Sequence, residues 1–308
     1  YMAHIRPANA SDLPVVYDLW YQLEVEGDPD PPAPGPMASG LVYELEAGAL
    51  LVAEEAGRII GFAGTVTWEA STSAHEPAQA HTYLGDLFIR RDAQSSGVGW
   101  ALLEHILPRD GRTLSVMAST DPRALALYVR AGMTPRWPNI WLRTDSARLA
   151  PHLATLPGGD LEIIPAQTED PGLARWDSDL FEYARPRDLA YLVDKRDALP
   201  VWFKRAGETI GYGFIQRRSD ESLWSPGAYT IGPVGAGSEN AARECVCAAV
   251  RWVCAQGHAA RLAVPAPHPA LAPLIEARCL ISYVETFLTS HSEPFSDVRR
   301  YLPSGVFL

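Results

Sequence analysis

Cysteine is missing from the sequence until Cys245, so the first half offers no thiol nucleophile. The four that occur, Cys245, Cys247, Cys254 and Cys279, follow no zinc-ligand spacing, and a chain of 308 residues is far larger than a disulfide-stapled scaffold. They read as reduced, buried small hydrophobes. No apolar run approaches the roughly 18 residues of a membrane span. The start lacks the basic, apolar and small-residue pattern of a secretory leader, and Tyr1 before Met2 reads as a cloning remnant. A soluble protein of the cytoplasm is expected. Positive charge is also scarce: 26 Lys and Arg stand against 37 Asp and Glu, a net charge of -11. That balance argues against a nucleic-acid partner and favours a cationic or neutral substrate.

The length suits two domains, each able to bury its own core, and an internal repeat supports that division. HIRPANASDLPVVYDLW from His4 resembles EIIPAQTEDPGLARWDSDLF from Glu162: a short strand, a polar turn ending in Asp12 or Asp170, then a helical pattern. LLVAEEAGRIIGFAGTV from Leu50 resembles PVWFKRAGETIGYGFIQ from Pro200, two strands around an Ala-Gly turn. A repeat this long is a domain duplication. The boundary is expected between Asp145 and Gly159, giving domains 1–150 and 151–308. A proline-rich stretch, Gly27 to Gly40, is read as a surface loop suited to cover a site.

The first half continues with the apolar strand Thr82 to Ile89, the loop RRDAQSSGVG, and a helix from about Gly97 to Leu107. A strand Thr113 to Ala118 follows, then a helix capped by Asp121, with Pro122 in its first turn and Gly132 at its stop. Two short strands, around Trp137 and from Ile140 to Arg143, close the half. A strand that runs through glycines into a helix presents unpaired backbone N–H groups where the helix dipole is positive, which suits a phosphate. The same G-x-G also serves as a plain tight turn. It lacks the spacing of a dinucleotide loop and the Gly-Lys-Ser/Thr of a nucleoside-triphosphate loop.

Gln94, Gly97 and Gly99 form a Q-x-x-G-x-G that resembles the acyl-CoA signature of the GNAT superfamily of N-acyltransferases. Ala124, Leu127, Tyr128, Gly132 and Met133 resemble its second motif, with Asp121 standing where many members have Asn. The resemblance covers about Ile5 to Arg143. It implies an α/β fold of two GNAT-like domains, each a mixed central sheet flanked by helices. It also implies acetyl-CoA as cosubstrate, its pantetheine arm paired with the strand end near Phe88 and Ile89. Its pyrophosphate is then cradled from Gln94 through Ser95, Ser96, Gly97, Val98 and Gly99 to Trp100, with Asp121 beside it. The implied partners are acetyl-CoA and an amine acceptor, with no nucleic acid and no membrane, in a monomer or homodimer.

Acyl transfer to an amine needs a base for the amine, donors for the carbonyl oxygen and an acid for the departing thiolate. Resemblance points to Tyr128 as the acid; packing on its helix face is the alternative. Asp86 interrupts an otherwise apolar central strand and is read either as base or amine ligand, or as a structural hydrogen-bond partner. Glu69, acting through water, is the second candidate base. His75, Glu76 and His81 read as solvated loop residues. A backbone N–H near Phe88 or Ile89 is the expected oxyanion donor. Direct transfer in a ternary complex is expected, since the first half has no cysteine for a covalent route; a non-catalytic acyl-CoA sensor is the rival reading.

Aligned through the strands, the second half sets Glu239 against Gln94, Ala242 against Gly97 and Glu244 against Gly99. Leu274 and Arg278 then replace Tyr128 and Gly132. This half is read as a degenerate copy in which two carboxylates repel a pyrophosphate.

Overall fold

The computed structural model describes residues 3–69, 80–217, 223–291, 296–305 and 307. The first half runs β1 (His4–Pro7), α1 (Leu13–Glu24), α2 (Ser39–Ala47), β2 (Ala49–Glu55), β3 (Arg58–Trp68), β4 (His81–Ile89), α3 (Val98–Ile106), β5 (Thr113–Ala118), α4 (Pro122–Arg130) and β6 (Thr134–Thr144). After the short α5 (Ser146–Leu149), the second half repeats the plan. It has β7 (Glu162–Pro165), α6 (Pro171–Phe181), α7 (Pro186–Arg196), β8 (Ala198–Arg205), β9 (Glu208–Gln216), β10 (Tyr229–Ala236), α8 (Glu239–Ala255), β11 (Ala260–Pro265), α9 (Leu271–Glu276), β12 (Leu280–Thr289) and β13 (Tyr301–Leu302). Asp170 caps α6 through the Gly172 amide, whereas Asp12 accepts the Arg6 guanidinium at 2.7 and 3.0 Å instead of capping α1.

The two halves share one continuous sheet, ordered β1-β2-β3-β4-β5-β12-β6-β11-β10-β9-β8-β7. Its middle is an exchange: β12 of the second half lies antiparallel beside β5, and β6 of the first half lies antiparallel beside β11. β6 and β12 pair with each other across the junction. β6 is one strand where two short ones were expected. Pro138 interrupts nothing because it stands just past the last β11 pair, Pro265 with Asn139, where no ladder bond is required of its nitrogen.

Apolar clusters line both faces. α3 and α4 cover Leu84, Val116 and Leu288 on one side of the first half. α8 covers the second half, burying Cys245, Cys247 and Cys254 with Val246 and Val250. All four cysteines are free and buried. An aromatic layer ties the halves together: Tyr43, Trp68 and Tyr83 pack with Phe181, Tyr183, Tyr191 and Tyr301. Within it the buried Asp188 receives the Tyr43 hydroxyl and, at 2.6 Å, the Trp68 indole N–H. No helix among the described residues is long and apolar enough to cross a membrane.

Strand exchange carries a prediction. A fragment 1–150 lacks β12, leaving β5 with a bare apolar edge and β6 with no partner. It is expected to aggregate or self-associate when expressed alone, and to become soluble when co-expressed with 151–308. Size-exclusion chromatography and thermal melting check this; a monomeric fragment with a cooperative melt would refute it.

Candidate active site

Parallel pairing of β4 with β5 runs from His81–Thr113 to Leu84–Val116 and then stops. A bulge falls at the same point on the other side of β4, between the Thr65–Leu84 and Gly64–Asp86 pairs, so β4 turns away from β5. Beyond it, the Arg90 amide donates to Ile60 O on β3. By the alternation of an antiparallel ladder the amide of Phe88 also faces β3, while those of Leu87 and Ile89 face the wedge. Of the two expected backbone donors, the geometry therefore leaves Ile89, joined by Leu87. Phe88 is committed to β3, and its ring stacks on Phe62 at 5.3 Å.

The wedge leads outward into a groove of about 380 Å³ lined by Leu87, Ile89, Gln94, Ser95, Gly97, Gly99, Trp100, Asp121, Arg123, Leu127 and Arg130. Gly97 has a left-handed backbone (φ 93°) and caps α3 without a side chain, so no cap satisfies the first amides of that helix. Ser95 is also left-handed (φ 62°), and Ser96 donates to Ala93 O at 2.6 Å, closing the turn. A Cβ on Gly99 would lie 3.1 Å from Leu127 Cδ1 and 3.7 Å from Ile89 Cγ1. Val98 beside it is buried. Gln94 is locked in place, donating to Ile89 O at 3.0 Å and accepting from Arg123 Nη1 at 2.7 Å. Asp121 caps α4, and its ion pair with Arg123 holds its carboxyl below the usual range. Arg130 lies over Trp100 at 3.8 Å. Sequence reasoning missed Arg123 and Arg130. Their spacing of two helical turns on α4 was the available signal.

The preceding residues of β4 line a cavity of about 310 Å³ built from both halves: Glu24 of α1, Tyr83 and Asp86 of β4, Asn139 and Trp141 of β6, Arg196 of α7, Arg261 of β11 and Glu285 of β12. Asp86 is half-buried, and burial pushes its carboxyl up to about 6 while a hydrogen bond from Glu44 pulls the other way. Glu44 is buried on α2, and burial followed by the Asp86 charge drives it well above the carboxylate range, so the shared proton belongs to Glu44. Space for its carboxyl comes from two glycines: a Cβ on Gly64 or Gly85 would fall 1.7 or 2.2 Å from a Glu44 oxygen. Glu24, a largely exposed residue at the mouth, is pushed upward by desolvation where it faces the cavity and then by Asp86 and Glu285. Glu285 accepts Asn139 Nδ2 at 3.1 Å and the Trp141 indole N–H at 2.9 Å. None of Glu24, Glu44 and Glu285 was singled out from sequence. Glu285 had no local signal, because strand exchange brings it in.

Tyr128 is buried on α4 against Leu84 and Val116, and its hydroxyl has no hydrogen bond among the described residues. Burial, then Asp86, raises its pKa, so it is protonated at neutral pH. Glu69 is corrected. It lies exposed beyond the far end of β3, next to Arg112, whereas Asp86 pairs with Gly64 at the other end of that strand. Five residues of strand, about 16 Å, separate the two positions. His81 is corrected as well: it is fully buried in β4, bonded to Ser115 Oγ, and burial drives its imidazole down to about 3. His75 and Glu76 lie outside the described residues.

Among the described residues the second half shows no counterpart to the glycine turn, and the reason differs from the expected one. Only Gly237 and Ser238 connect β10 to α8, and the Ser238 hydroxyl caps the helix by accepting from the Ala241 amide. Glu239 pairs with Arg299 and Glu244 with Arg205, so neither carboxylate fills a phosphate site. β10 also parts from β11, after Thr230–Arg261, but β13 pairs with Val234 and Gly235 in the opening. The chain's own strand occupies that edge. Leu274 does correspond to Tyr128, since each accepts the amide five residues on, Cys279 and Met133, and Arg278 keeps the left-handed backbone of Gly132.

Residues 16–133 match the model of the acetyltransferase (GNAT) family. Among solved structures, the chain resembles a putative acetyltransferase from Pyrococcus horikoshii, with a TM-score of 0.70 and 16% identity over 97% of this chain and 92% of the other. A tandem GNAT protein from the clavulanic acid biosynthesis pathway gives a TM-score of 0.59 and 15% identity over 95% and 99% of the two chains. A GCN5-related N-acetyltransferase from Anabaena variabilis gives 0.59 and 13% over 93% and 72%. No curated protein sequence matches the chain significantly. Residues 16–133, which hold the β3-β4-loop-α3-β5-α4 core, thus match the GNAT acetyltransferase family, and the duplicated sheet of the whole chain has the fold of the tandem GNAT protein.

Proposed function

We propose that the chain is an acyltransferase that moves an acetyl group from acetyl-CoA to a primary amine by direct transfer, with one working site in the first half. The observation that carries this reading is the parting of β4 from β5 after Leu84, with a phosphate-suited groove lined by Leu87 and Ile89 and a carboxylate-lined cavity lined by Gly85 and Asp86 of the same strand. The groove fits CoA: uncapped amides at the start of α3, two glycines and two arginines face an elongated space that a side chain at Gly99 would narrow. The outward amides of Leu87 and Ile89 suit the amide-bearing arm and the carbonyl oxygen. When bound, acetyl-CoA supplies an activated thioester. The cytoplasmic setting expected from the sequence would supply it.

Asp86 takes a proton from the acceptor ammonium, and Glu44, holding its own proton, stays behind it as donor. The amine nitrogen then bonds the acetyl carbon as the C–S bond breaks. Tyr128 gives its hydroxyl proton to the departing sulfur and regains one from the second N–H of the new amide nitrogen through water, while Asp86 releases its proton to solvent, leaving an amide and a free thiol. The buried thiols of the second half take no part, since burial raises all four. A screen of acetyl-CoA against a broad amine panel, read by thiol release, tests the proposal, with propionyl-CoA and longer thioesters as controls. CoA binding without thiol release from any amine would instead favour a non-catalytic sensor. Tyr128→Phe, which removes only the hydroxyl, is expected to lower kcat at least about tenfold with CoA affinity retained. An unchanged kcat would make Tyr128 a packing residue.

A further inference from the structure

The cavity has two electrically different ends. At one, Asp86, Glu24 and Glu285 converge on the wedge where an acetyl group would enter. At the other lies Arg261, whose guanidinium sits over the Trp141 ring at 4.2 Å. It makes no hydrogen bond or ion pair with any described residue. Beside it Arg196 is buried, its Nε donating to Gln216 Oε1 at 3.1 Å. Burial and then the charge of Arg196 press Arg261 down to about 10 against the attraction of Glu285 across the cavity, which still leaves it a cation at neutral pH. Trp141 joins the ends: its indole N–H binds Glu285 and its ring face carries Arg261.

A guanidinium offers five N–H donors in a planar fork; Arg261 is half-buried, so drawing those donors partly out of bulk water towards the cavity with no protein acceptor is costly. Stacking on an indole offsets part of that cost and fixes the fork in direction, but meets none of the donors. A second arginine beside it adds repulsion. An oxyanion with at least two acceptor oxygens relieves both, and a carboxylate or phosphate does so bidentately. The acidic end has the complementary need, because carboxylates facing one another are relieved by an ammonium. At about 310 Å³ the space is at the small end of ligand pockets, the size of one amino acid or a little more.

We propose that the acceptor is a small zwitterion, with its amine against Asp86, Glu24 and Glu285 and a carboxylate or phosphate held by Arg261 and Arg196. This rests on the acyltransferase reading and narrows its acceptor. Arg261 and Arg196 both come from the second half, which thus contributes the anion grip, and Glu285 at the amine end, to a site whose base and acid lie in the first. Strand exchange is what brings β11 and β12 to the cavity.

The test uses the full chain and matched acceptors: glycine, β-alanine and O-phosphoethanolamine against glycine ethyl ester, β-alanine ethyl ester and ethanolamine. Thiol release is expected to show at least about tenfold higher kcat/KM for the anionic member of a pair, mainly through KM. The bias runs against this result, because an ester amine is less basic and more readily deprotonated. Arg261→Gln is expected to bring the anionic-to-neutral ratio toward one, and Arg261→Lys to restore part of it. Preference for a carboxylate over a phosphate, or the reverse, identifies the anion. Equal rates within every pair, or a ratio untouched by Arg261→Gln in a folded protein that binds CoA, would overturn the proposal. Calorimetry with glycine, β-alanine and O-phosphoethanolamine in the presence of CoA separates the two readings. Heat of binding that Arg261→Gln abolishes, without thiol release, would sink the acyltransferase while keeping the zwitterion site; no binding and no release would sink both. Should Arg261→Gln not fold, the wild-type ratios still decide.

Discussion

Gly99→Glu is expected to abolish acetyl-CoA binding while leaving the fold in place. Gly99 is the second residue of α3, and a Cβ there meets Leu127 at 3.1 Å, so a longer side chain must extend into the groove. A carboxylate in the first turn suits the helix dipole and takes the uncapped amides for itself. Folding therefore tolerates the change, but a pyrophosphate meets an occupied anion site. Two unit charges about 4 Å apart near a protein surface repel by about 4 kcal/mol, and about 1.4 kcal/mol is tenfold in affinity. A loss of at least about 100-fold follows, with melting within a few degrees of wild type. Calorimetric affinity unchanged in a folded mutant would refute the phosphate cradle.

Asp86→Asn should be the most damaging change to turnover. The amide keeps the shape and still accepts the proton of Glu44, but it takes none from the acceptor. General base catalysis contributes typically about 100- to 10,000-fold, and kcat should fall within that range at neutral pH. A base must be ionised to act, so wild-type activity should rise through the pKa of Asp86, about 6, and the variant should lose that ascending limb. Stability gives an independent check. Because the folded pKa is raised above 3.8, the folded state holds the extra proton, and this contribution to stability is full below 3.8 and lost as pH rises through about 6. Asp86→Asn removes that loss, so melting at pH 7 to 8 is expected to hold or rise. A normal kcat with an unshifted profile would exclude Asp86 as base. A large drop in melting temperature would make it a structural partner.

The sequence alone determined what depends on neighbours along the chain. Strand-to-helix order, the Asp121 cap with Pro122 behind it, and the glycines at 97 and 99 follow from local backbone preferences, and the structure has each of them. An acid in an apolar strand was legible at Asp86 because it interrupts a run otherwise apolar on both faces, as a central strand should be. So was the duplication, since both copies keep the same turns. Only the tertiary structure decided what depends on pairing between distant strands. Glu44 is invisible until Gly64 and Gly85 leave room above the sheet, and Glu69, near Asp86 in composition and order, lies at the wrong end of β3. The second half lacks the Q-x-x-G-x-G pattern in its sequence, which pointed to repelling carboxylates where the structure has a short capped turn and β13 laid along the open edge. Glu285, Trp141 and Arg261 meet only because β6 and β12 change places, and registers between strands so far apart are set by the packing of both halves at once.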